Sequence, residues 1–186
     1  AGRGGRPRRR RLTDGRSATG ERVAAWLHDP RPFDRRSGFR RRRDTPADGL
    51  IAGTCAINGD QFADDRSRAI VVHYDYTVLA GTQGGRNHYK QDRMFELAHR
   101  FRMPVVLFGE GGGGRPGDDA TGPRVAFDTG TFTTFSRLSG LVPLISIVNG
   151  RTFAGNTALV AACDVIIATE GSTLAMGGPA MIEGGG

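Results

Sequence analysis

Residues 140–169 read GLVPLISIVNGRTFAGNTALVAACDVIIAT. The apolar run PLISIVNG predicts a strand that ends in a turn at Gly150. Small residues from Gly155 to Ala162 predict a helix, and the second apolar run, DVIIAT, predicts another strand. Because nearly every position of both runs is apolar, each strand must be covered on both faces, and helices that alternate with parallel strands supply such cover. The stretch therefore predicts an α/β fold with parallel pairing.

The same alternation of strands and helices extends upstream. GLIAGTCAING predicts a strand closed by a turn at Asn58-Gly59, and RAIVVHYDYTVLAG predicts one or two more strands. VVLFG predicts a short strand after Pro104, and a further helix is expected over residues 125–140. Between them, NHYKQDRMFELAHRFR predicts a helix with one apolar face, made of Met94, Leu97, Ala98 and Phe101.

The positive charge lies in the N-terminal segment, residues 1–48. The chain has 186 residues and a formal net charge of +7, but residues 1–48 hold 15 of its arginines and six acids, so the remainder is slightly acidic. This distribution argues against a nucleic-acid-binding domain. We expect residues 1–48 to be a partly disordered basic segment with one short helix within residues 21–28, and residues 49–186 to form one domain.

Several protein classes are excluded or disfavoured by what the sequence lacks. No apolar run approaches the ~18 residues of a membrane span and no signal peptide opens the chain, so a cytoplasmic protein is expected. Cys55 and Cys163 have no Cys or His partner at zinc-ligand spacing, which excludes a zinc ribbon and disfavours a disulfide framework. Both thiols are expected to be buried and inert. The four histidines are expected to be structural or exposed, and no metal site is predicted.

Two glycine-rich turns are the candidate site. Residues 109–114 follow VVLF, and residues 150–156 follow LISIV, each between a predicted strand and a helix. In parallel sheets ligands gather at the carboxyl ends of strands, where a helix N-terminus presents unpaired N–H groups, so the two loops together could stabilise an oxyanion. Two other interpretations stay open: tight turns without function, or a phosphate cradle, although Arg115-Pro116 stands where a P-loop has Lys-Ser/Thr.

The order of these motifs resembles that of the biotin-dependent acyl-CoA carboxyltransferases. RRLTDGRSATGERVAAWLHDPRPF resembles the family's opening segment, in which Leu-Thr, Glu-Arg, Leu, Asp-Pro and Phe follow one another. YDYTVLAGTQGGRNHYKQDRMFELAHRF is similar to its strand, T-V-x-x-G-[ST]-x-G turn and helix. VPLISIVNGRTFAGN is similar to its V-P-x-I-x-x-V-x-G-x-x-x-G-G segment. The resemblance covers about Leu12 to Gly186 and points to the acetyl-/propionyl-CoA carboxylase type.

The resemblance implies a crotonase/ClpP-like spiral of ββα units, here the N-terminal half, incomplete at its C-terminus. It implies transfer of a carboxyl group from carboxybiotin to the α-carbon of an acyl-CoA such as acetyl- or propionyl-CoA. In that family biotin, carried on a separate domain or subunit, is itself the base, and two oxyanions need backbone donors. The implied partners are the biotin carboxyl carrier, the biotin carboxylase and the C-terminal carboxyltransferase half of a partner subunit. The chain alone is therefore expected to be inactive.

The resemblance also assigns site residues. The biotin-side oxyanion hole falls on the backbone of Gly155 and Asn156, where Asn replaces the family's second glycine; a backbone donor tolerates this unless its φ is positive. The loop Gly111, Gly112, Gly113 and Gly114 is expected to shape the acyl-CoA pocket, with Arg115 as a candidate ligand of a CoA phosphate.

Two other functions remain possible from the sequence. Another crotonase-type acyl-CoA enzyme, a hydratase or decarboxylase, would need a glutamate at the pocket, and Glu170 and Glu183 are the candidates near the second loop. A non-enzymatic basic binding module would act through the arginines of residues 1–48 and would bind nucleic acid with a steep salt dependence.

Overall fold

A five-stranded mixed sheet forms the centre of the computed structural model, which describes residues 46–115, 130–178 and 183–184. Its strands are ordered β1-β2-β3-β4-β6, and a second sheet pairs β5 with β7. The elements are β1 (Leu50–Ala56), α1 (Asp64–Ser67), β2 (Arg68–Tyr74), α2 (Gly85–Phe101), β3 (Val105–Phe108), α3 (Gly130–Ser136), β4 (Leu144–Val148), β5 (Arg151–Phe153), α4 (Ala154–Ala161), β6 (Val165–Ala168) and β7 (Thr173–Ala175).

The topology confirms the predicted parallel sheet and adds one antiparallel hairpin. β1 pairs antiparallel with β2, and the Asn58-Gly59 turn between them places Asn58 at φ 53°. β2, β3, β4 and β6 then pair in parallel, each after a helical or looped crossover. The carboxyl ends of β3 and β4 therefore lie side by side, and the two glycine-rich turns that follow them meet at one edge of the sheet.

One face of the sheet carries the core. Successive strand residues point to opposite faces, and the inward set on β2 and β3 is fully buried: Ile70, Val72, Tyr74, Val105 and Leu107. Helices α2 and α3 cover this face, with the rings of Phe95 and Phe135 4.7 Å apart between their centroids. On α2 the predicted apolar face was partly wrong, because Phe95 is buried whereas Phe101 is 57% exposed at the last residue of the helix.

The prediction that helices cover both faces of every strand is not met among the described residues. Ile145 and Ile147 of β4, on the face opposite the helices, are only half-buried. Strand β6 is an edge strand, and all four of its residues are exposed, with Val165 and Ile167 at 50% and 52%. An apolar run thus predicted the strand correctly but not its surroundings, since burial depends on what packs against it.

Three short elements were not predicted: α1, β5 and β7. RAIVVHYDYTVLAG gives one strand, β2, followed by a short 3-10 turn at Leu79–Gly81 rather than a second strand. The mixed α/β architecture agrees with the expected crotonase-like class, and the spiral of ββα units stays a prediction. The short helix within residues 21–28, the four consecutive arginines of residues 40–43 and residues 125–129 lie outside the described residues. No described helix is long and apolar enough to cross a membrane.

Candidate active site

The first glycine loop runs beside the second as a short extension of the sheet. Gly111 donates its backbone N–H to the carbonyl of Arg151 at 2.8 Å, and Phe153 donates to the carbonyl of Gly111 at 2.8 Å. On its other side, Gln83 donates its backbone N–H to the carbonyl of Gly113 at 2.6 Å. The loop is therefore held between the segment that precedes α2 and the strand that precedes α4, as the sequence predicted for two adjacent loops.

Of the four consecutive glycines at 111–114, only two are required by the backbone. Gly111 has φ 108°, and a Cβ there would lie 2.1 Å from the carbonyl oxygen of Gly81. Gly113 has φ 83°, and its Cβ would lie 2.6 Å from that of Ala154. Gly112 and Gly114 are exposed and have ordinary φ values. The loop is thus fixed at alternate residues, and the intervening ones face outward.

The side chain of Asn156 connects the loops. It is fully buried, and its Oδ1 accepts the backbone N–H of Gly113 at 3.0 Å. Its Nδ2 donates to the carbonyl of Gly81 at 3.1 Å and also to that of Glu110. The φ of Asn156 is not positive, so an asparagine in place of glycine causes no backbone strain at this position. What the sequence did not predict is that this side chain joins three backbone segments.

Next to this junction, the first N–H groups of α4 have no acceptor among the described residues. In an α-helix the first residues have no carbonyl one turn earlier to accept their N–H groups. For α4 these are Ala154, Gly155 and Asn156, and the residue before them, Phe153, offers no side-chain cap. A Cβ on Gly155 would lie 2.7 Å from Gln83 Oε1 and 3.1 Å from Phe132 Cζ. Gly155 therefore lets these two side chains approach the helix start closely.

The side chain of Arg115 is held by contacts with other residues of the chain. Its side chain is 3% exposed and forms an ion pair with Asp48, whose side chain is 15% exposed. Its Nε donates to Thr82 Oγ1 at 3.1 Å and its NH2 group to the carbonyl of Thr82 at 2.9 Å. The guanidinium thus ties the end of the glycine loop to the segments around Asp48 and Thr82. Contact between Arg115 and a CoA phosphate stays a prediction.

A cluster of hydrogen-bonded polar side chains borders Phe132. His88 Nδ1 lies 3.0 Å from Thr131 Oγ1, and Thr131 donates to Asp92 Oδ1 at 2.6 Å. Burial lowers the pKa of His88, although the nearby carboxylates of Asp92 and Asp48 oppose this. The ring of His88 meets that of Phe132 edge-on, with centroids 6.3 Å apart. His88 is structural, as expected, and it supports the side chain that lies against Gly155.

The acid that approaches the second loop is neither of the two candidates from the sequence. Glu170 is exposed in the turn after β6, and Glu183 is exposed in the short described segment 183–184. Glu110 Oε1 instead lies 3.6 Å from the position of a Cβ on Gly150. A signal was present, because Glu110 stands inside the glycine loop itself. The described residues hold no cluster of three or more His, Cys, Asp or Glu that would suit a metal ion.

The two cysteines are less buried than predicted. Cys55 and Cys163 are both half-buried and free. Burial raises the pKa of Cys55, and burial together with the charge of Asp164 raises the pKa of Cys163 to about 12. The carboxylate of Asp75 accepts the N–H and the hydroxyl of Thr77 at 2.9 and 2.6 Å.

With this geometry established, comparison with known proteins identifies the family. Residues 28–184 match the carboxyl transferase domain family. The chain belongs to this family. The family resemblance that the order of motifs indicated is therefore confirmed.

Individual carboxyl transferases show the relationship. The chain is 29% identical over 195 residues to the methylmalonyl-CoA carboxyltransferase 12S subunit of Propionibacterium freudenreichii subsp. shermanii, covering 98% of this chain and 35% of the relative. A solved structure of a single-chain, multi-domain long-chain acyl-CoA carboxylase is 60% identical, with a TM-score of 0.70, over 76% of this chain and 14% of that one. The transcarboxylase 12S crystal structure is 28% identical, with a TM-score of 0.61, over 75% and 26%.

Proposed function

We propose that the chain forms one half of the carboxyltransferase site of a biotin-dependent acyl-CoA carboxylase, which transfers a carboxyl group from carboxybiotin to the α-carbon of an acyl-CoA. The observation that carries the proposal is the junction at Gly155, where the start of α4 opens beside the glycine loop with unpaired N–H donors. Such donors stabilise negative charge on an oxygen in a site protected from water. The 60% identity to a long-chain acyl-CoA carboxylase supports the same assignment.

The donors at Gly155 and Asn156 are suited to the ureido oxygen of biotin. A backbone N–H pair at a helix start is fixed before the ligand arrives, so no reorganisation accompanies the development of charge. When bound, biotin supplies the carboxyl group and the base that the described side chains do not provide. The chain's own residues hold the oxygen, orient the ring and exclude water, while Asn156 keeps the loops in register.

The acyl-CoA side is assigned to the loop Gly111 to Gly114. Gly112 and Gly114 are exposed and carry no side chain, so a thioester can approach the backbone closely there. Arg115 would then act on this side mainly by holding the loop through Asp48 and Thr82. A second oxyanion hole, for the enolate oxygen, would come from the C-terminal half of a partner subunit.

The partners follow from this division of the site. We propose that a biotin carboxyl carrier brings the cofactor to Gly155 and that a biotin carboxylase domain loads it, on the same polypeptide or on partner subunits. The methylmalonyl-CoA and long-chain acyl-CoA relatives differ in the substrates their names give, so the assay compares short-chain with long-chain acyl-CoA.

The test uses the native polypeptide with its partner subunits. Incorporation of labelled bicarbonate into acetyl-, propionyl- and long-chain acyl-CoA is measured with ATP present for the native protein and for Gly155→Ala. The added methyl displaces Gln83 or Phe132 from the helix start, so we expect at least a tenfold loss of transfer. Gly178→Ala is the matched control, because its Cβ would meet nothing within 4 Å. Absence of transfer to every acyl-CoA by the native assembly would refute the proposal.

A further inference from the structure

The backbone of Gln83 is fixed between the two walls of the site. Its N–H donates to the carbonyl of Gly113 at 2.6 Å, and its carbonyl accepts the N–H of Arg115 at 2.8 Å. The residue is only 4% exposed. Because it precedes α2 and pairs with the glycine loop, its side chain extends inward beneath the start of α4.

A chain of hydrogen bonds fixes the orientation of the Gln83 amide. Gln83 Nε2 donates to Tyr74 Oη at 2.8 Å, and Tyr74 donates to Gln91 Oε1 at 2.9 Å. Gln91 Nε2 donates to Asn87 Oδ1 at 2.5 Å, and Asn87 Nδ2 donates to the backbone carbonyl of Asp48 at 3.4 Å. The Asp48 carbonyl can only accept, so the amide nitrogen of Asn87 must face it, and each group before Asn87 must donate to the next one in turn. The amide nitrogen of Gln83 therefore faces Tyr74, and its oxygen faces away from it.

That oxygen accepts no hydrogen bond from the described residues, although it lies at the start of α4. It would be 2.7 Å from a Cβ on Gly155. Among the described side chains, Ser146 Oγ is the one polar atom that is fully enclosed and has no hydrogen-bond partner. Gln83 Oε1 has no partner either, so it must keep some contact with solvent. Water can donate to this oxygen while the site is open. A ligand that displaces this water must bring a donor of its own, because a buried acceptor left unpaired is costly.

The chemistry required of the ligand is specific. The start of α4 offers N–H donors, and Gln83 offers an acceptor beside them. A ligand edge that carries C=O next to N–H, as in a cyclic urea, satisfies both at once. A thioester or a carboxylate presents acceptors only and would leave Gln83 Oε1 unpaired. The pair of groups thus discriminates between the ureido ring and the acyl-CoA.

We infer that Gln83 is a binding residue for the biotin ureido ring and accepts a ring N–H while Gly155 and Asn156 hold the ureido oxygen. The inference rests on the proposed function and adds to it the residue that selects a cyclic urea at this position. Tyr74, Gln91 and Asn87 act as positioning residues, because they orient the amide without touching the ligand.

The test compares two cyclic ureas that differ only in their N–H groups. Binding of 2-imidazolidinone and of 1,3-dimethyl-2-imidazolidinone to the native assembly is measured by ligand-observed NMR titration. The native protein should prefer 2-imidazolidinone by about 5- to 10-fold, the effect of one hydrogen bond. Gln83→Leu should abolish the preference and leave binding of the dimethyl compound within twofold. Gln83→Glu, which keeps an acceptor, should restore it.

The matched control is Gln61→Leu, because Gln61 is an exposed glutamine in the turn after β1 and takes no part in this chain of hydrogen bonds. It should leave both the unfolding temperature and the preference unchanged. No preference in the native protein, or a preference retained in Gln83→Leu, would overturn the inference. If Gln83→Leu does not fold, Gln83→Met, which also lacks the amide oxygen, takes its place. Carboxyl transfer measured on the same native sample separates the two hypotheses: transfer without a urea preference defeats only the inference, and absence of transfer defeats the proposed function as well.

Discussion

The backbone N–H of Gly113 donates to Asn156 Oδ1 at 3.0 Å, across 43 positions of sequence. Asn156→Ala removes this bond and takes the donor away from the buried carbonyl of Gly81 and the partly buried carbonyl of Glu110. We expect the free energy of unfolding to fall by about 3 kcal/mol, since each orphaned buried group costs about 1–3 kcal/mol. Urea unfolding measures this loss.

Asn156→Gly sharpens the same prediction, because it removes the whole side chain and keeps the backbone N–H. It should destabilise at least as much as alanine, since the side-chain bonds are lost in both and glycine is unfavourable inside a helix. Asn149→Ala is the control: Asn149 is exposed and accepts one bond, from Thr169, so a change within about 0.5 kcal/mol is expected. A neutral Asn156→Gly variant would mean that the side chain does not hold the loops.

The glycine loop should respond unevenly to alanine. Gly111→Ala places a methyl group 2.1 Å from the Gly81 carbonyl oxygen at a residue with φ 108°, so a loss of more than about 3 kcal/mol is expected. Gly114→Ala meets nothing within 4 Å and should change stability by less than about 0.5 kcal/mol. Thermal unfolding of the two variants compares them directly. Equal effects at Gly111 and Gly114 would contradict this account of the loop.

Local sequence patterns predicted most of the fold and part of the candidate site. The strands β2, β3 and β4 and the helix α2 follow from apolar periodicity, which reports how one face is buried. The two glycine loops could be located because parallel strands bring their carboxyl ends together. The exposure of β6 was not predictable, since the residues of an edge strand and of a central strand can be equally apolar.

The side chains that shape the site escaped prediction for a different reason. Gln83 and Asn156 act through segments that are distant in sequence, such as Gly81, 75 positions before Asn156. No local spacing signals such a contact. Arg115 was selected for its charge, but its burial against Asp48 depends on a loop 67 positions away. A charged residue next to a glycine loop therefore does not indicate by itself whether it faces ligand or protein.

The ion pair between Arg115 and Asp48 should be important for stability because both side chains are nearly buried. Asp48→Asn or Arg115→Met removes one charge of this nearly buried ion pair, and a loss of about 3–5 kcal/mol is expected. The exposed pair of Arg93 and Glu96 is the matched control, where Glu96→Gln should cost at most about 0.5 kcal/mol. A double-mutant cycle in urea measures both. A coupling near zero between Arg115 and Asp48 would show that they act independently.

Cys163 should be unreactive until the protein unfolds. Its Sγ donates to the carbonyl of Leu159 at 3.5 Å, and burial and Asp164 raise its pKa to about 12. At pH 8 only about 1 in 10⁴ of the folded thiols is ionised, against roughly a quarter of unfolded thiols with a pKa near 8.5, so alkylation should be about 10³-fold slower in the folded state. Peptide mass spectrometry after timed iodoacetamide treatment, with and without urea, measures the ratio at Cys163 separately from Cys55.

The raised pKa of Cys163 also determines the direction in which stability should change with pH. The folded pKa lies above the unfolded one, so the contribution of Cys163 is fully present below about pH 8.5. It is lost as the pH rises toward 12, because the unfolded chain releases the proton first. Cys163→Ala should therefore lose less stability than the native protein between pH 8.5 and about pH 10, as measured by urea unfolding at each pH. Parallel curves for the two proteins would exclude this thiol as a source of alkaline destabilisation.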